Sequence, residues 1–216
     1  MDTSTIPPTP EQLLALKAQR ALDENALRPI FFEARTANGF LAAPVARELL
    51  ERAVEIAELG PTSANTLPVR YVFVVSAAGK EKLRPALSAG NLDKTLKAPV
   101  TAIVAADLKF YENIPRTFPT RPEMAANFSP PEKAEFTRGF ARDNAILQMG
   151  YFIIAARAVG LDAGPMGGFD RDLLDAAFFP DGRLISLFLI NLGYADDTKT
   201  FPRLPRLRPS EIATFA

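Results

Sequence analysis

Residues 100–106 read Val-Thr-Ala-Ile-Val-Ala-Ala, a continuous run that no charged side chain interrupts. A short run of this kind is typical of a strand that is buried on both faces of a sheet. Residues 71–75, Tyr-Val-Phe-Val-Val, have the same character, and residues 184–192 predict a third strand. Together these runs predict a central sheet with helices packed against it.

Helical patterns lie before, between and after these strands. They cover residues 11–21, the stretch from Pro44 to Gly60, and residues 79–87, 132–159 and 170–178. Ser129 and Glu132 form a capping-box pattern at the start of the longest helix, which Gly160 is expected to end. Residues 145–154 of this helix are largely apolar around its circumference, which predicts burial on every side, in part by a second subunit. The alternation of strands and helices leaves α/β and α+β both open at this point.

The composition fits a single domain over residues 1–216, of which residues 1–10 are expected to be flexible. Hydrophobic residues make up 48% and charged residues 23% of the chain, as in ordinary globular proteins. The 25 Lys and Arg residues balance the 25 Asp and Glu residues, so binding to nucleic acid or to an anionic membrane is not expected. The N-terminus shows no signal-peptide pattern and no apolar run reaches the length of a membrane span, which predicts a cytoplasmic protein.

The absence of histidine and cysteine from the sequence excludes several kinds of site. A Ser-His-Asp triad, a histidine metal site, a thiolate nucleophile and a cysteine-held iron–sulfur cluster are all excluded within one chain, and no metal site is expected. An enzyme with this composition depends on a cofactor, on carboxylates, or on Lys and Tyr for its chemistry.

Two segments near the ends of the chain carry arginines suited to an anion. Arg35-Thr36-Ala37-Asn38-Gly39 places a guanidinium and a hydroxyl beside a glycine turn, a combination that suits a phosphate group but also occurs on ordinary solvated surfaces. The tail from residue 194 holds Arg203, Arg206 and Arg208 between prolines. These arginines either clamp an anion or are solvated.

Two loops are rich in small residues. Residues 60–68, Gly-Pro-Thr-Ser-Ala-Asn-Thr-Leu-Pro, either hydrogen-bond a polar ligand or simply end a helix in a turn. Residues 164–170, Gly-Pro-Met-Gly-Gly-Phe-Asp, either let a flat ligand approach the backbone or form a tight strand-to-helix turn. Residues 110–131 contain five prolines and form either a self-packed surface loop or a substrate-facing lid.

The order of these segments resembles the FMN-dependent nitroreductase superfamily over residues 27–212, and most closely its malonic semialdehyde reductase branch. The resembling stretches are residues 35–40, 59–65, 90–96, 160–170, 191–194 and 203–207. The resemblance implies an α+β fold in which helices flank a central, mostly antiparallel sheet. It also implies an intertwined homodimer with two FMN molecules at its interface and with NADH or NADPH as co-substrate.

The resemblance further assigns residues to each part of the cofactor. Phosphate contacts fall on Arg35, Thr36, Arg206 and Arg208, and Ser63, Asn65 and Pro68 match the loop along the ribityl chain and ring. Pro165, Met166, Gly167 and Gly168 match the segment against the ring, where the backbone N–H of Gly167 faces flavin N5 as the catalytic contact.

Four positions depart from the family pattern. Asn38, counted here among the cofactor-binding residues, stands where many members have a second basic residue. Ala37 replaces an aromatic residue of the closest branch, and Leu67 and Val69 stand where many relatives have Gln and Trp. These departures concern ring packing and substrate identity rather than the class of cofactor.

The implied activity is hydride transfer from NAD(P)H through flavin N5 to a small acceptor, with ping-pong kinetics. The closest branch implies reduction of malonic semialdehyde to 3-hydroxypropionate. A broad nitro or quinone reductase and a non-catalytic flavin-binding protein are the alternatives.

Overall fold

Four antiparallel strands form the central sheet of the computed structural model, which describes residues 9–216. They are β1 (Val69–Val74), β2 (Val100–Asp107), β3 (Asp162–Met166) and β4 (Leu184–Gly193). Their order across the sheet is β1-β2-β4-β3, so β1 and β3 are the two edges. Every residue of β2 is buried, as its uninterrupted apolar run predicted. The antiparallel sheet and its helices confirm the α+β class.

Helices of different lengths make up most of the remaining secondary structure. In the described residues they are α1 (Pro10–Ala18), α2 (Glu24–Leu27), α3 (Arg47–Ala57), α4 (Ala77–Leu83), α5 (Ala89–Lys97), α6 (Ile114–Thr117), α7 (Ala134–Ala158), α8 (Arg171–Phe178) and α9 (Pro209–Ile212). None of the helices within residues 9–216 has the length and apolar character needed to cross a membrane.

The two faces of the sheet bury two separate hydrophobic clusters. Val104 on β2 packs in the first cluster with residues of α3 and α7, whereas its neighbour Ile103 packs in the second with Leu83 of α4 and Leu174 of α8. Adjacent residues of a strand point to opposite faces, which explains why β2 has to be apolar throughout.

The longest helix, α7, ends as the sequence predicted but begins differently. Gly160 adopts φ +86°, and the N–H groups of Gly160 and Leu161 donate to carbonyls of the last helical turn at 3.0 and 2.9 Å. The predicted capping box at Ser129 is wrong, because a 3₁₀ turn (Pro131–Lys133) precedes α7 and neither element has a side-chain cap. Pro130, and not Ser129, is the residue that precedes the 3₁₀ turn, one position later than the capping pattern predicted.

Within one chain, residues 145–154 are buried on one side of the helix only, and the burial expected from a second subunit stays a prediction. Ala145, Met149 and Phe152 are buried against the sheet. The opposite side of the helix is exposed, with apolar side chains that are 36–46% accessible. These exposed residues are Ile146, Leu147, Tyr151 and Ile154.

The segment over residues 110–131 is not a plain loop. It forms a 3₁₀ turn (Phe110–Asn113), α6 and a second 3₁₀ turn (Pro122–Asn127). The rings of Phe110 and Phe128 pack 5.0 Å apart, and Phe140 of α7 lies 4.8 Å from Phe128. Aromatic packing therefore fixes this segment to α7.

The described chain divides into two compact units, one ending at Ala34 and the other comprising Arg35–Ala216. In the first unit, Thr9 caps α1 and Asp23 caps α2 with their side-chain oxygens. A π-helical turn (Arg28–Phe32) follows, and Arg28 pairs with Glu33 at 2.7 Å. The predicted flexibility of residues 1–10 falls almost wholly outside the described residues.

Candidate functional site

The glycines after β3 form an exposed backbone surface that is held from behind. The carbonyl oxygen of Gly168 accepts hydrogen bonds from Ser88 Oγ at 2.7 Å and from Asn91 Nδ2 at 2.8 Å. A Cβ at Gly168 would lie 2.6 Å from Asn91 Nδ2, so no larger residue fits there without displacing that amide. The peptide plane at Gly168 is thus fixed by side chains from the start of α5.

Gly167 is exposed on the other side of this surface. Its carbonyl accepts from Phe169 N at 3.1 Å, while its own N–H has no acceptor within residues 9–216. Met166 is buried beneath it, and Pro165 is half-buried. An exposed N–H on a fixed glycine backbone is a donor for an electron-rich ligand atom that approaches closely.

The segment that carries Arg35 lies against β3. The N–H of Ala37 donates to Ala163 O at 3.1 Å, and the carbonyl oxygen of Ala37 occupies the space that a side chain at Gly164 would need. Thr36 is exposed, Arg35 is half-buried, and Asn38 donates its amide to Thr36 O at 3.3 Å. The predicted phosphate residues therefore lie beside the predicted ring segment.

The loop before β1 has an unusual backbone. Ala64, Asn65 and Leu67 adopt φ of 52°, 50° and 45°, a region that non-glycine residues rarely occupy. Ser63 N donates to Asn144 Oδ1 at 2.8 Å, and Asn65 Nδ2 donates to Thr117 O at 2.7 Å. Three such residues in one short loop, held from α7 and α6, are typical of functional sites, where strain is maintained by surrounding contacts.

The structure brings some of the predicted site residues together and separates others. The segments at residues 35–38 and 165–168 adjoin each other at the β3 edge. Ser63 and Asn65 are exposed at the β1 edge, and Pro68 is buried with its carbonyl bound to Asp107 N at 2.8 Å. Three strand spacings, roughly 14 Å, separate the two edges. One chain therefore does not gather all of these residues around one small ligand.

The C-terminal arginines stand apart from both groups. Arg206 donates to the carbonyls of Leu204 and Pro205 in its own tail, and Arg208 pairs loosely with Glu211 at 3.5 Å. The side chains of Arg206 and Arg208 are exposed.

A cleft of about 1150 Å³ lies between α3 and the free edge of β1. Its lining includes Val54 of α3, Tyr71 and Phe73 of β1, and Thr117 of α6. The Tyr71 hydroxyl is buried without a hydrogen-bond partner among the described residues, and burial raises its pKa well above the usual value.

The chain as a whole is similar to known proteins. The model of the nitroreductase family matches residues 33–194, three quarters of the chain. The chain belongs to the nitroreductase family. It is thus a flavin oxidoreductase, as the sequence resemblance implied, although the malonic semialdehyde reductase branch stays a prediction.

Solved structures agree with this chain on the fold. A candidate nitroreductase from Bacillus subtilis is 23% identical, with a TM-score of 0.78 over 90% of this chain and 100% of that one. A candidate nitroreductase from Exiguobacterium sibiricum, solved in complex with FMN, is 22% identical, with a TM-score of 0.75 over 91% and 98%. A candidate NAD(P)H:FMN oxidoreductase from Staphylococcus epidermidis is 19% identical, with a TM-score of 0.76 over 92% and 99%.

Sequence reasoning missed two groups of residues in this chain. Ser88 and Asn91 position Gly168; residues 90–96 were part of the family resemblance, but no pattern in them indicated a contact with Gly168. A buried polar cluster around Lys80 was also missed. Burial lowers the pKa of Lys80 to about 8. A lysine in an amphipathic helix is ordinarily exposed, and only the packing of α4 against β2 shows otherwise.

Proposed function

We propose that this chain is an FMN-dependent NAD(P)H oxidoreductase whose ring site is the Pro165–Gly168 backbone and whose phosphate site includes Arg35 and Thr36. The observation that carries the proposal is the free N–H of Gly167 on a peptide surface that Ser88 and Asn91 hold in place. This surface suits a flat heteroaromatic ring, because both glycines are exposed and carry no side chain that would keep a ring away from the backbone.

The chain's own residues bind and orient the reactants. When bound, FMN supplies hydride transfer at N5 between NAD(P)H and the acceptor, which use the same ring face in turn. In this proposal the Gly167 N–H donates a hydrogen bond to N5, and the buried Met166 side chain anchors the adjacent backbone. Arg35 and Thr36 provide charge-assisted and neutral hydrogen bonds to the phosphate, with Asn38 adding an amide.

We further propose that two copies complete each site. Ser63, Asn65 and Pro68 lie at the β1 edge, about three strand spacings from Gly167, so they contact a ring at Gly167 only if they come from the partner. Two exposed apolar surfaces support such a dimer, the C-terminal tail and a stripe on α7. The α7 stripe consists of Ile146, Leu147, Tyr151 and Ile154. The exposed apolar residues of the tail are Phe201, Leu204, Leu207, Ile212 and Phe215.

The tail also supports an intertwined arrangement. Arg206 and Arg208 are exposed and lie outside the described site, so the predicted phosphate contacts from the tail require it to reach a site in the dimer. The cleft at the free edge of β1 has an apolar floor of the kind that receives an extended apolar segment.

For the acceptor, malonic semialdehyde is the first candidate, on the motif resemblance of residues 160–170 and 203–207. A nitroarene and a quinone are the competing substrates. The purified protein should be yellow and should release FMN on denaturation. Stopped-flow mixing with NADH should bleach the flavin, and each acceptor in turn should restore its absorbance at a rate that ranks the three substrates. A bound flavin that NADH does not bleach would favour a non-catalytic flavin-binding protein.

The phosphate assignment is tested by replacing Arg35 or Arg206 with Gln. Each charge-assisted hydrogen bond contributes about 1.5–3 kcal/mol, so each change should weaken FMN binding about 10- to 150-fold. Riboflavin, which lacks the phosphate, should be affected much less. Arg84→Gln is the matched control, because Arg84 is exposed and paired with Glu81 on α4. An equal loss for FMN and riboflavin would contradict the assignment.

A further inference from the structure

Lys80 is a buried cation without a carboxylate partner. Its residue is only 6% exposed, and Nζ donates to Thr95 O at 2.8 Å and to Thr101 Oγ1 at 2.5 Å. No acidic side chain in residues 9–216 lies within ion-pair distance of this ammonium group. A charge buried without a counterion is costly to the fold, so its retention calls for a function.

The ammonium group is the centre of a polar cluster that spans the sheet. Thr101 Oγ1 donates to Asn191 Oδ1 at 2.7 Å, and Asn191 Nδ2 donates to Thr95 Oγ1 at 3.4 Å. These residues, with Lys80, come from α4, α5, β2 and β4. They are all at least 94% buried, so the cluster replaces apolar packing in the middle of the fold.

The cluster reaches both segments of the proposed cofactor site. Thr95 Oγ1 donates to the Sδ atom of Met166, the residue before Gly167, at 3.6 Å. Thr101 pairs with Asn191 across the sheet, and Asn191 pairs with Gly164, whose open side holds the Ala37 carbonyl. The Lys80 ammonium group therefore lies on the buried side of the ring segment, residues 165–168. It is also next to the paired strand residues Thr101, Asn191 and Gly164, which support residues 35–38.

We propose that Lys80 is a positioning residue for the flavin: through Thr95 it fixes Met166 below Gly167, and its charge makes the buried side of the ring site electropositive. This inference rests on the proposed function. Hydride transfer from NAD(P)H adds two electrons and one proton to the ring, so the ring gains one negative charge while the nicotinamide becomes NAD(P)⁺. A positive charge behind the ring favours the reduced form and raises the reduction potential of the bound flavin.

The size of the effect follows from distance. A unit charge about two strand spacings from the ring, in an effective dielectric of about 20, changes the equilibrium roughly tenfold. Loss of the Lys80 charge should therefore change, by about tenfold, the ratio between the dissociation constant of oxidised FMN and that of reduced FMN. A tenfold change corresponds to a potential lowered by about 30 mV for a two-electron couple.

The experiment compares Lys80→Met and Lys80→Gln with Lys82→Met. Lys82 lies on the same helix but is exposed, with Nζ 4.6 Å from the centre of the Phe178 ring. FMN binding to each apoprotein is measured by fluorescence quenching, and the potential of the bound FMN by equilibration with a redox dye. Lys80→Met and Lys80→Gln should both lower the potential by about 30 mV, and Lys82→Met should leave it unchanged.

A fourth variant separates the effect of the Lys80 charge on the flavin from its effect on the position of Met166. Thr95→Val removes the contact with Met166 Sδ and keeps the ammonium group, so it should weaken FMN binding with little change in potential. Lys80→Gln provides the test if Lys80→Met does not fold, since it keeps a hydrogen-bond donor. A wild-type potential in the Lys80→Gln variant would overturn the inference. A wild-type apoprotein that fails to bind FMN would instead overturn the proposed function on which the inference rests.

Discussion

At the scale of single residues, the two adjacent glycines of the ring segment have different surroundings. A Cβ at Gly168 would lie 2.6 Å from Asn91 Nδ2 and 2.9 Å from Ser88 Oγ, whereas a Cβ at Gly167 meets only the Phe188 ring at 3.6 Å. Gly168→Ala should therefore destabilise the apoprotein by about 1–3 kcal/mol, because the Ser88 and Asn91 side chains that hydrogen-bond the Gly168 carbonyl must move.

Gly167→Ala is the matched control for that change. Its added methyl group is in ordinary van der Waals contact, so the free energy of unfolding should change by less than about 1 kcal/mol. Urea unfolding of the two apoproteins measures the difference without reference to any cofactor. Equal stability of the two variants would contradict the close contacts of Ser88 and Asn91 with Gly168.

Lys80 gives a pH dependence with a definite sign. Its pKa is lowered by burial from 10.5 to about 8, so between these values the unfolded chain holds a proton that the folded chain has released. Stability should therefore rise with pH over this window, by at most about 1.4 kcal/mol per pH unit. The measurement is urea unfolding of the apoprotein at pH 7.5, 8.5 and 9.5, with Lys80→Met subtracted to remove the titration of other groups. A difference that stays flat or falls with pH would show that Lys80 is not desolvated.

At the scale of secondary-structure elements, a buried carboxylate joins three segments at one end of the sheet. Asp107 at the end of β2 is 1% exposed and pairs with Arg70 of β1 at 2.8 Å and with Arg183, before β4, at 3.0 Å. Asp107→Asn leaves two partly exposed guanidinium groups facing a neutral amide, and should destabilise the protein by about 1–3 kcal/mol. Glu112→Gln is the control, since Glu112 is exposed and only supplements Arg183. Chemical denaturation of both variants checks the prediction, and equal midpoints would contradict it.

The same elements show what sequence patterns can predict. β2 and β4 were predictable because burial on both faces demands long apolar runs. The sequence does not predict β3, because its Gly164 and Pro165 are poor strand formers. They are tolerated here since β3 is an edge strand with a single neighbour. α5 is short and has few large apolar residues, so its sequence alone does not show that Asn91 contacts Gly168.

At the scale of the whole molecule, the candidate site could be predicted only in part. Local residue types predict a phosphate site at Arg35 and Thr36, the family resemblance assigns Gly167 to the flavin, and the structure places their segments side by side. Local patterns contain no information on which sheet edge a segment occupies, so the separation of Asn65 from Gly167 appeared only with the strand order. The cluster around Lys80 is likewise formed by residues far apart in sequence.

The separation of these segments leads to the last prediction, that the protein is an obligate homodimer. Leu147 lies on the exposed apolar side of α7 and is 46% accessible, close to the 51% of Leu173 on α8. If the α7 stripe is the dimer interface, Leu147→Glu should place a charge in an apolar contact and shift the protein from about twice 23.5 kDa towards one chain. Leu173→Glu, with similar exposure outside the stripe, should leave the dimer intact. Light scattering on both variants decides the matter, and a wild-type protein that is folded, yellow and monomeric would contradict the shared site.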